Sequence, residues 1–104
     1  MRLKTGALET LDRVIHERAR LAIVSALAAS KELSFAELRG ATGLTDGNLS
    51  VQLRTLEVAG YVALHKSEAG GRNSRTGARL TNVGRRAFTS YLAVLDRVLG
   101  KWRR

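Results

Sequence analysis

The chain has no cysteine and no proline, only 5% aromatic residues, and few acids: 9 Asp and Glu against 18 Lys and Arg in 104 residues. The missing cysteine excludes a disulfide scaffold, a thiolate metal site and a cysteine nucleophile together. No apolar run approaches the roughly 20 residues that span a bilayer. Met1-Arg2-Leu3-Lys4-Thr5-Gly6 also lacks the apolar core and cleavage site of a signal peptide. A cytoplasmic protein without membrane contact is expected. The scarcity of aromatics argues against an RNA binder, which stacks bases on exposed rings. Tyr61, Phe35 and Phe88 read as core. Only two imidazoles are present, His16 and His65. One precedes a helix and the other lies in strand material, so a structural role is expected and no metal site. No nucleophile elbow accompanies the serines, and Gly70-Gly71-Arg72 lacks the Lys-Ser/Thr of a phosphate loop. Neither catalysis nor a cofactor is predicted.

With 44% apolar residues, the chain is expected to form a single domain over residues 1–104. Its net charge of +9 is unevenly placed: residues 1–60 hold eight Lys/Arg against seven Asp/Glu, whereas residues 61–104 hold ten against two. A basic block of that kind in ordered-looking sequence points to a polyanion, most simply nucleic acid.

Three segments share one pattern: an apolar residue, then Ser or Thr, then a run with helical periodicity. In Leu33-Ser34-Phe35-Ala36-Glu37-Leu38, Ser34 and Glu37 have capping-box spacing and Leu33 can staple onto Leu38. In Leu44-Thr45-Asp46-Gly47-Asn48-Leu49, Thr45 takes the cap and Asp46 suits the positive first turn. Thr81 does the same for a final helix over 82–101, although Gly84 in the first turn weakens it. Upstream, Leu8, Leu11, Val14 and Ile15 recur every three or four residues, and His16 to Ser30 is rich in Ala and Leu. N-terminal helices over 7–30 are expected.

The pair of helices within 34–59, joined by Gly43-Leu44, has the order of a helix-turn-helix. On the second of them Leu49, Leu53 and Leu56 fall within about 60° of one another and face the core. The opposite face carries Gly47, Asn48, Val51, Arg54, Thr55 and Val58, with Ser50 and Gln52 at its flanks and the cap Thr45 at its N-terminal end. Small residues let a helix approach a major groove, and Asn, Ser and Arg can read base edges there. Arg54 can take two acceptors of guanine or a phosphate. Next, Tyr61 to Lys66 alternates with period two and Gly77 to Leu80 can return beside it, a wing hairpin over 61–80. Lys66, Arg72, Arg75 and Arg79 make it basic, with Arg85 and Arg86 adjoining. The predicted fold is therefore mainly α with a small β-hairpin, a winged helix-turn-helix with long terminal helices.

Arg20-Leu21-Ala22-Ile23, the run Leu44 to Ser50, Leu53, Leu56-Glu57, Ala59-Gly60-Tyr61-Val62, Lys66, Arg75-Thr76, Leu80-Thr81 and Gly84-Arg85 together resemble the small winged-helix regulators of bacteria related to MarR and ArsR. The resemblance spans roughly residues 12 to 99. It implies a homodimeric transcription factor that binds double-stranded DNA through a recognition helix at 45–58 and a wing at 66–79; for so small a factor, repression of a palindromic operator by blocking polymerase is the default expectation. The sequence departs from the family pattern at Gln52, where a His is usual. It departs again in the wing, at Glu68, Ser74, Ala78 and the extra length of Gly70-Gly71. With no cysteine, the thiolate metal-sensing sites of some ArsR relatives are absent.

On the final helix Phe88, Leu92, Leu95, Leu99 and Trp102 form one stripe, widened by Tyr91, Val94 and Val98. So broad a stripe predicts a dimer interface made by Leu8, Leu11, Ile15, Tyr91, Leu92, Leu95, Leu99 and Trp102. The alternative is that the two terminal segments pack on each other within one chain. A small-molecule effector is compatible with a pocket between the terminal helices, though no converging polar residues identify one. A rival reading makes the basic face a protein-interaction module for an acidic partner. The face of Asn48, Ser50 and Arg54 argues against it, since protein interfaces centre on aromatic anchors.

Overall fold

The computed structural model describes residues 10–66 and 76–100. Elements follow in the order α1 (Arg18–Ala28), β1 (Leu33–Ser34), α2 (Phe35–Thr42), α3 (Asp46–Val58), β2 (Val62–Lys66), β3 (Thr76–Leu80) and α4 (Asn82–Gly100). The strands form one antiparallel sheet in the order β1-β3-β2.

Local chemistry sets the helix starts. At α2 the capping box is complete: the Glu37 amide donates to Ser34 Oγ at 3.1 Å, and the Ser34 amide donates to Glu37 Oε1 at 2.8 Å. At α3 the Asn48 amide donates to Thr45 Oγ1 at 3.2 Å, and at α4 the Gly84 amide donates to Thr81 Oγ1 at 3.0 Å. Gly43 ends α2 with φ at 73°, a left-handed cap that an L side chain rarely adopts, and so turns the chain into α3.

Two features depart from the sequence expectations. Of the N-terminal helices expected over 7–30, the described residues hold one, at 18–28. Residues 10–17 form turns and bends: Asp12 Oδ1 accepts from the amides of Val14 and Ile15 as an N-cap does, and the His16 amide closes a single turn on the Asp12 carbonyl at 2.7 Å. Helix α1 then starts where Glu17 Oε1 accepts from the Arg20 amide. Residues 7–9 and 101 lie outside the described residues. The hairpin also gains a third strand: Leu33 pairs with Ala78 and Ser34 with Gly77, so the cap of α2 doubles as a sheet edge. His65 Nδ1 lies 3.0 Å from Glu32 Oε1 on the same face.

One apolar cluster joins α1, α2, α3 and the sheet through Ile23, Val24, Leu27, Leu38, Leu49, Leu53, Leu56, Val62, Ala78 and Leu80. Each of the larger of these side chains contributes about 1.5–3 kcal/mol by leaving water. A second cluster holds Leu11 and Ile15 against Tyr91 and Val94 of α4, and Tyr61 and Phe88 pack against both clusters. The terminal segments thus pack on each other within one chain. Gly84 makes this possible, since α4 enters so close to the Tyr61 carbonyl that a Cβ there would collide with it.

Candidate nucleic-acid interface

Helix α3 is held by the burial of Leu49, Leu53 and Leu56, all at most 3% exposed. With 3.6 residues per turn, that burial turns the remaining side chains outward. Gly47, Asn48, Ser50 and Arg54 are exposed, Val51 is 60% exposed, and Thr55 is half-buried. The structure therefore brings six of the predicted reading residues onto one face, with Thr45 at its N-terminal edge. Among the described residues Arg54 forms no hydrogen bond or ion pair, so its guanidinium is available to a ligand.

Not every polar group on this face is equally free. Thr45 Oγ1 is occupied as the cap, and the Thr55 hydroxyl donates to the Val51 carbonyl at 3.2 Å, leaving it to act as an acceptor. Asp46 would repel a phosphate backbone, but Arg39 of α2 pairs with it at 2.7 Å, with both side chains well exposed. Val58, 81% exposed, extends the face with an apolar group.

One residue not singled out for the interface, Arg20, reaches it through the flanking Gln52. Gln52 donates through Nε2 to Asn48 Oδ1 at 3.0 Å and accepts through Oε1 from Arg20 Nη1 at 2.7 Å. Arg20 in turn donates through Nε to the Val14 carbonyl at 2.6 Å. The i, i+4 spacing of Asn48 and Gln52 was legible; Arg20, 32 residues from Gln52, carried no local signal.

The scaffold behind α3 is tied together by tyrosines. Tyr61 O–H donates to Asp12 Oδ2, a short contact. That bond, with burial and the carboxylate charge, pushes the Tyr61 hydroxyl up to about 12. Tyr91 O–H meets His16 Nδ1 at 2.8 Å, and burial raises the Tyr91 pKa. Glu17 lies below the usual carboxylate range, chiefly because its side chain accepts from the Arg20 amide.

In the wing, β2 and β3 pair Ala63 with Arg79 and Lys66 with Thr76. Ala78 and Leu80 point into the core, which puts Arg79 on the outer face, and both Arg79 and Lys66 are exposed. Arg72 and Arg75 lie outside the described residues. Arg86 is exposed, and Arg85 donates to the Ala28 carbonyl at the end of α1 at 3.4 Å.

The predicted dimer surface needs correction. Leu11, Ile15 and Tyr91 are 6%, 0% and 2% exposed within a single chain, because the N-terminal turns fold against α4 and consume that surface. Leu92 and Leu99 remain 45% exposed, and Leu95 is half-buried. Leu8 and Trp102 lie outside the described residues.

A protein from Methanocaldococcus jannaschii with no characterised function is 35% identical over 80 residues, covering 77% of this chain and 86% of its own. A transcriptional regulator homologue from Pyrococcus horikoshii OT3 shares the fold with a TM-score of 0.84 at 24% identity, covering 98% of both chains. A MarR-family regulator from Enterococcus faecalis V583 does so with a TM-score of 0.72 at 20% identity, covering 96% of this chain and 91% of its own. The family model for the winged helix DNA-binding domain matches residues 19–99, from the start of α1 to the end of α4, and the chain belongs to that family.

Proposed function

We propose that this protein is a cytoplasmic transcriptional regulator that binds double-stranded DNA as a homodimer, reading a near-palindromic operator with α3 and gripping the backbone with the wing. The observation that carries the reading is the exposed face of α3, where Gly47, Asn48, Ser50, Val51 and Arg54 stand opposite three buried leucines. It is small at its N-terminal end, rich in donors, and, among the described residues, clear of ion pairs at Arg54. Lys66 and Arg79 supply sequence-independent phosphate contacts. Leu92, Leu95 and Leu99, spaced i, i+3, i+7 on α4, form the apolar stripe on which a second subunit packs. A twofold arrangement sets two α3 helices into successive major grooves about 10 base pairs apart. So small a factor regulates most simply by occluding polymerase, which makes repression the default sign.

Fluorescence anisotropy against a pool of genomic duplex fragments at two salt concentrations tests this. Wild type is expected to prefer some fragments, and Arg54→Ala to erase about 10- to 100-fold of that preference. A Lys66→Ala/Arg79→Ala double variant should weaken all fragments alike and flatten the salt dependence, by about 0.9 in log–log slope for each phosphate that is no longer neutralised. Equal binding to every fragment, unchanged by Arg54→Ala, overturns the reading.

A further inference from the structure

The recognition face contains two side-chain amides, and an amide can present either its oxygen or its NH2 group. In this protein the choice is made by Arg20, which does not belong to the face. Its side chain is only 19% exposed. Nε is anchored to the Val14 carbonyl at 2.6 Å, and Nη1 lies 2.7 Å from Gln52 Oε1 and 3.8 Å from Glu17 Oε1. A guanidinium can only donate, so the Gln52 carboxamide must turn its oxygen toward Arg20 and its NH2 away. That NH2 can only donate in turn, so Asn48 must meet it with Oδ1, as the 3.0 Å bond shows. The chain of donors ends with the Asn48 NH2 directed outward from α3.

We propose that Arg20 is a positioning residue for base recognition: acting through Gln52, it fixes Asn48 as a hydrogen-bond donor. This inference rests on α3 reading DNA. Guanine offers two acceptors in the major groove and thymine one, while cytosine offers only a donor there. The paired donor–acceptor contact that Asn makes with adenine uses Oδ1, and here one of its two lone pairs, and with it the plane of the amide, is already committed to Gln52. Asn48 therefore disfavours cytosine and favours a base that presents an acceptor, guanine with its two acceptors foremost, on the strand it contacts. Gln52, rather than a side chain with a single polar atom, is what allows the orientation to be passed along: one end accepts and the other donates.

The test is selection from a randomised duplex library by wild type, Asn48→Ala, Arg20→Met and Gln52→Glu, each checked for folding by thermal melting. Asn48→Ala marks the base pair concerned by erasing the preference there. Arg20→Met should flatten the preference at that same pair by about tenfold, leaving the other positions intact. Gln52→Glu still accepts from Arg20, but its second oxygen can only accept from Asn48. Asn48 must then turn Oδ1 outward, and the preferred base pair at that position should be replaced by another, on a background of uniformly weaker binding from the added charge. In the DNA-free protein, the Asn48 side-chain amide resonances should move in Arg20→Met. If Arg20→Met and Gln52→Glu both select the wild-type base pair at that position, the positioning role is overturned while DNA reading stands. If wild type selects no sequence, the reading by α3 fails and base positioning falls with it. Unmoved Asn48 amide resonances overturn the orienting chain without reference to DNA.

Discussion

Replacing Gly84 by alanine sets two physical effects against each other with opposite signs. Helix propensity favours the change, since alanine is about 1 kcal/mol better than glycine in a helix. The tertiary structure opposes it. A Cβ at this position would stand 2.8 Å from the Tyr61 carbonyl carbon and 2.9 Å from Tyr61 Cα, and closer still to the carbonyl oxygen. Those atoms are backbone and cannot swing aside as a side-chain tip would. Relief requires α4 to move away from Tyr61. The same junction holds the Thr81 amide on the Tyr61 carbonyl at 3.0 Å, the Thr81 hydroxyl on the Gly60 carbonyl at 2.6 Å, and the cap from Thr81 to Gly84. Overpacking of this kind costs about 1–3 kcal/mol, and loosening the cap adds about 1 kcal/mol. Set against the propensity gain, the net loss is about 2 kcal/mol, or about 10 °C in melting temperature for a domain of this size. Thermal and urea unfolding followed by circular dichroism measure it. A variant as stable as wild type, or more so, would refute the close-approach argument and leave propensity as the governing effect.

Ser34→Ala removes one half of the capping box and should cost about 1 kcal/mol in urea unfolding, with no change in slope. Leu56→Ala empties a fully buried site and should cost about 2–5 kcal/mol by the same assay, with DNA binding at low temperature retained. Tyr61→Phe tests the Asp12 bond by pH: the raised hydroxyl contributes stability fully below pH 10 and loses it as pH rises through about 12. The stability gap between wild type and Tyr61→Phe should accordingly hold constant from neutrality to pH 10 and close above it; a gap that stays open to pH 12 rejects the assignment. A Leu92→Glu/Leu99→Glu double variant places charges on the exposed stripe of α4 and should shift sedimentation toward monomer at unchanged melting of the isolated chain. An unaltered sedimentation profile that remains dimeric would place the interface elsewhere.

The face of α3 was legible because it follows from a short-range rule. Leu49, Leu53 and Leu56 repeat at helical spacing, and once they are buried the opposite residues have nowhere to point but outward. The wing was legible in part: alternation revealed β2 and the core-facing Ala78 and Leu80, but nothing local to Leu33-Ser34 announces that these two residues also pair with β3. Helical spacing misleads at the N-terminal segment for a related reason. Leu11, Val14 and Ile15 have that spacing, yet Asp12 bonds the amides of Val14 and Ile15 in a turn, and tertiary contact with α4 stabilises that turn. The surface left for the proposed dimer is smaller than its stripe suggests because an amphipathic stripe declares that it must be covered without declaring by what.

What the sequence by itself determined are features whose partners lie within about one helical turn, namely the caps at Ser34, Thr45 and Thr81, the turn at Gly43 and the inward leucines of α3, together with the crowding of positive charge into the C-terminal part of the chain, which composition alone sets. What only the tertiary structure decided are features built from groups that local chain geometry leaves independent. These are the approach of α4 to the Tyr61 carbonyl, the burial of Leu11 and Ile15 on Tyr91, and the run of hydrogen bonds from Val14 through Arg20 and Gln52 to Asn48. A hydrogen bond across 32 residues forms only after packing has already brought its two ends together.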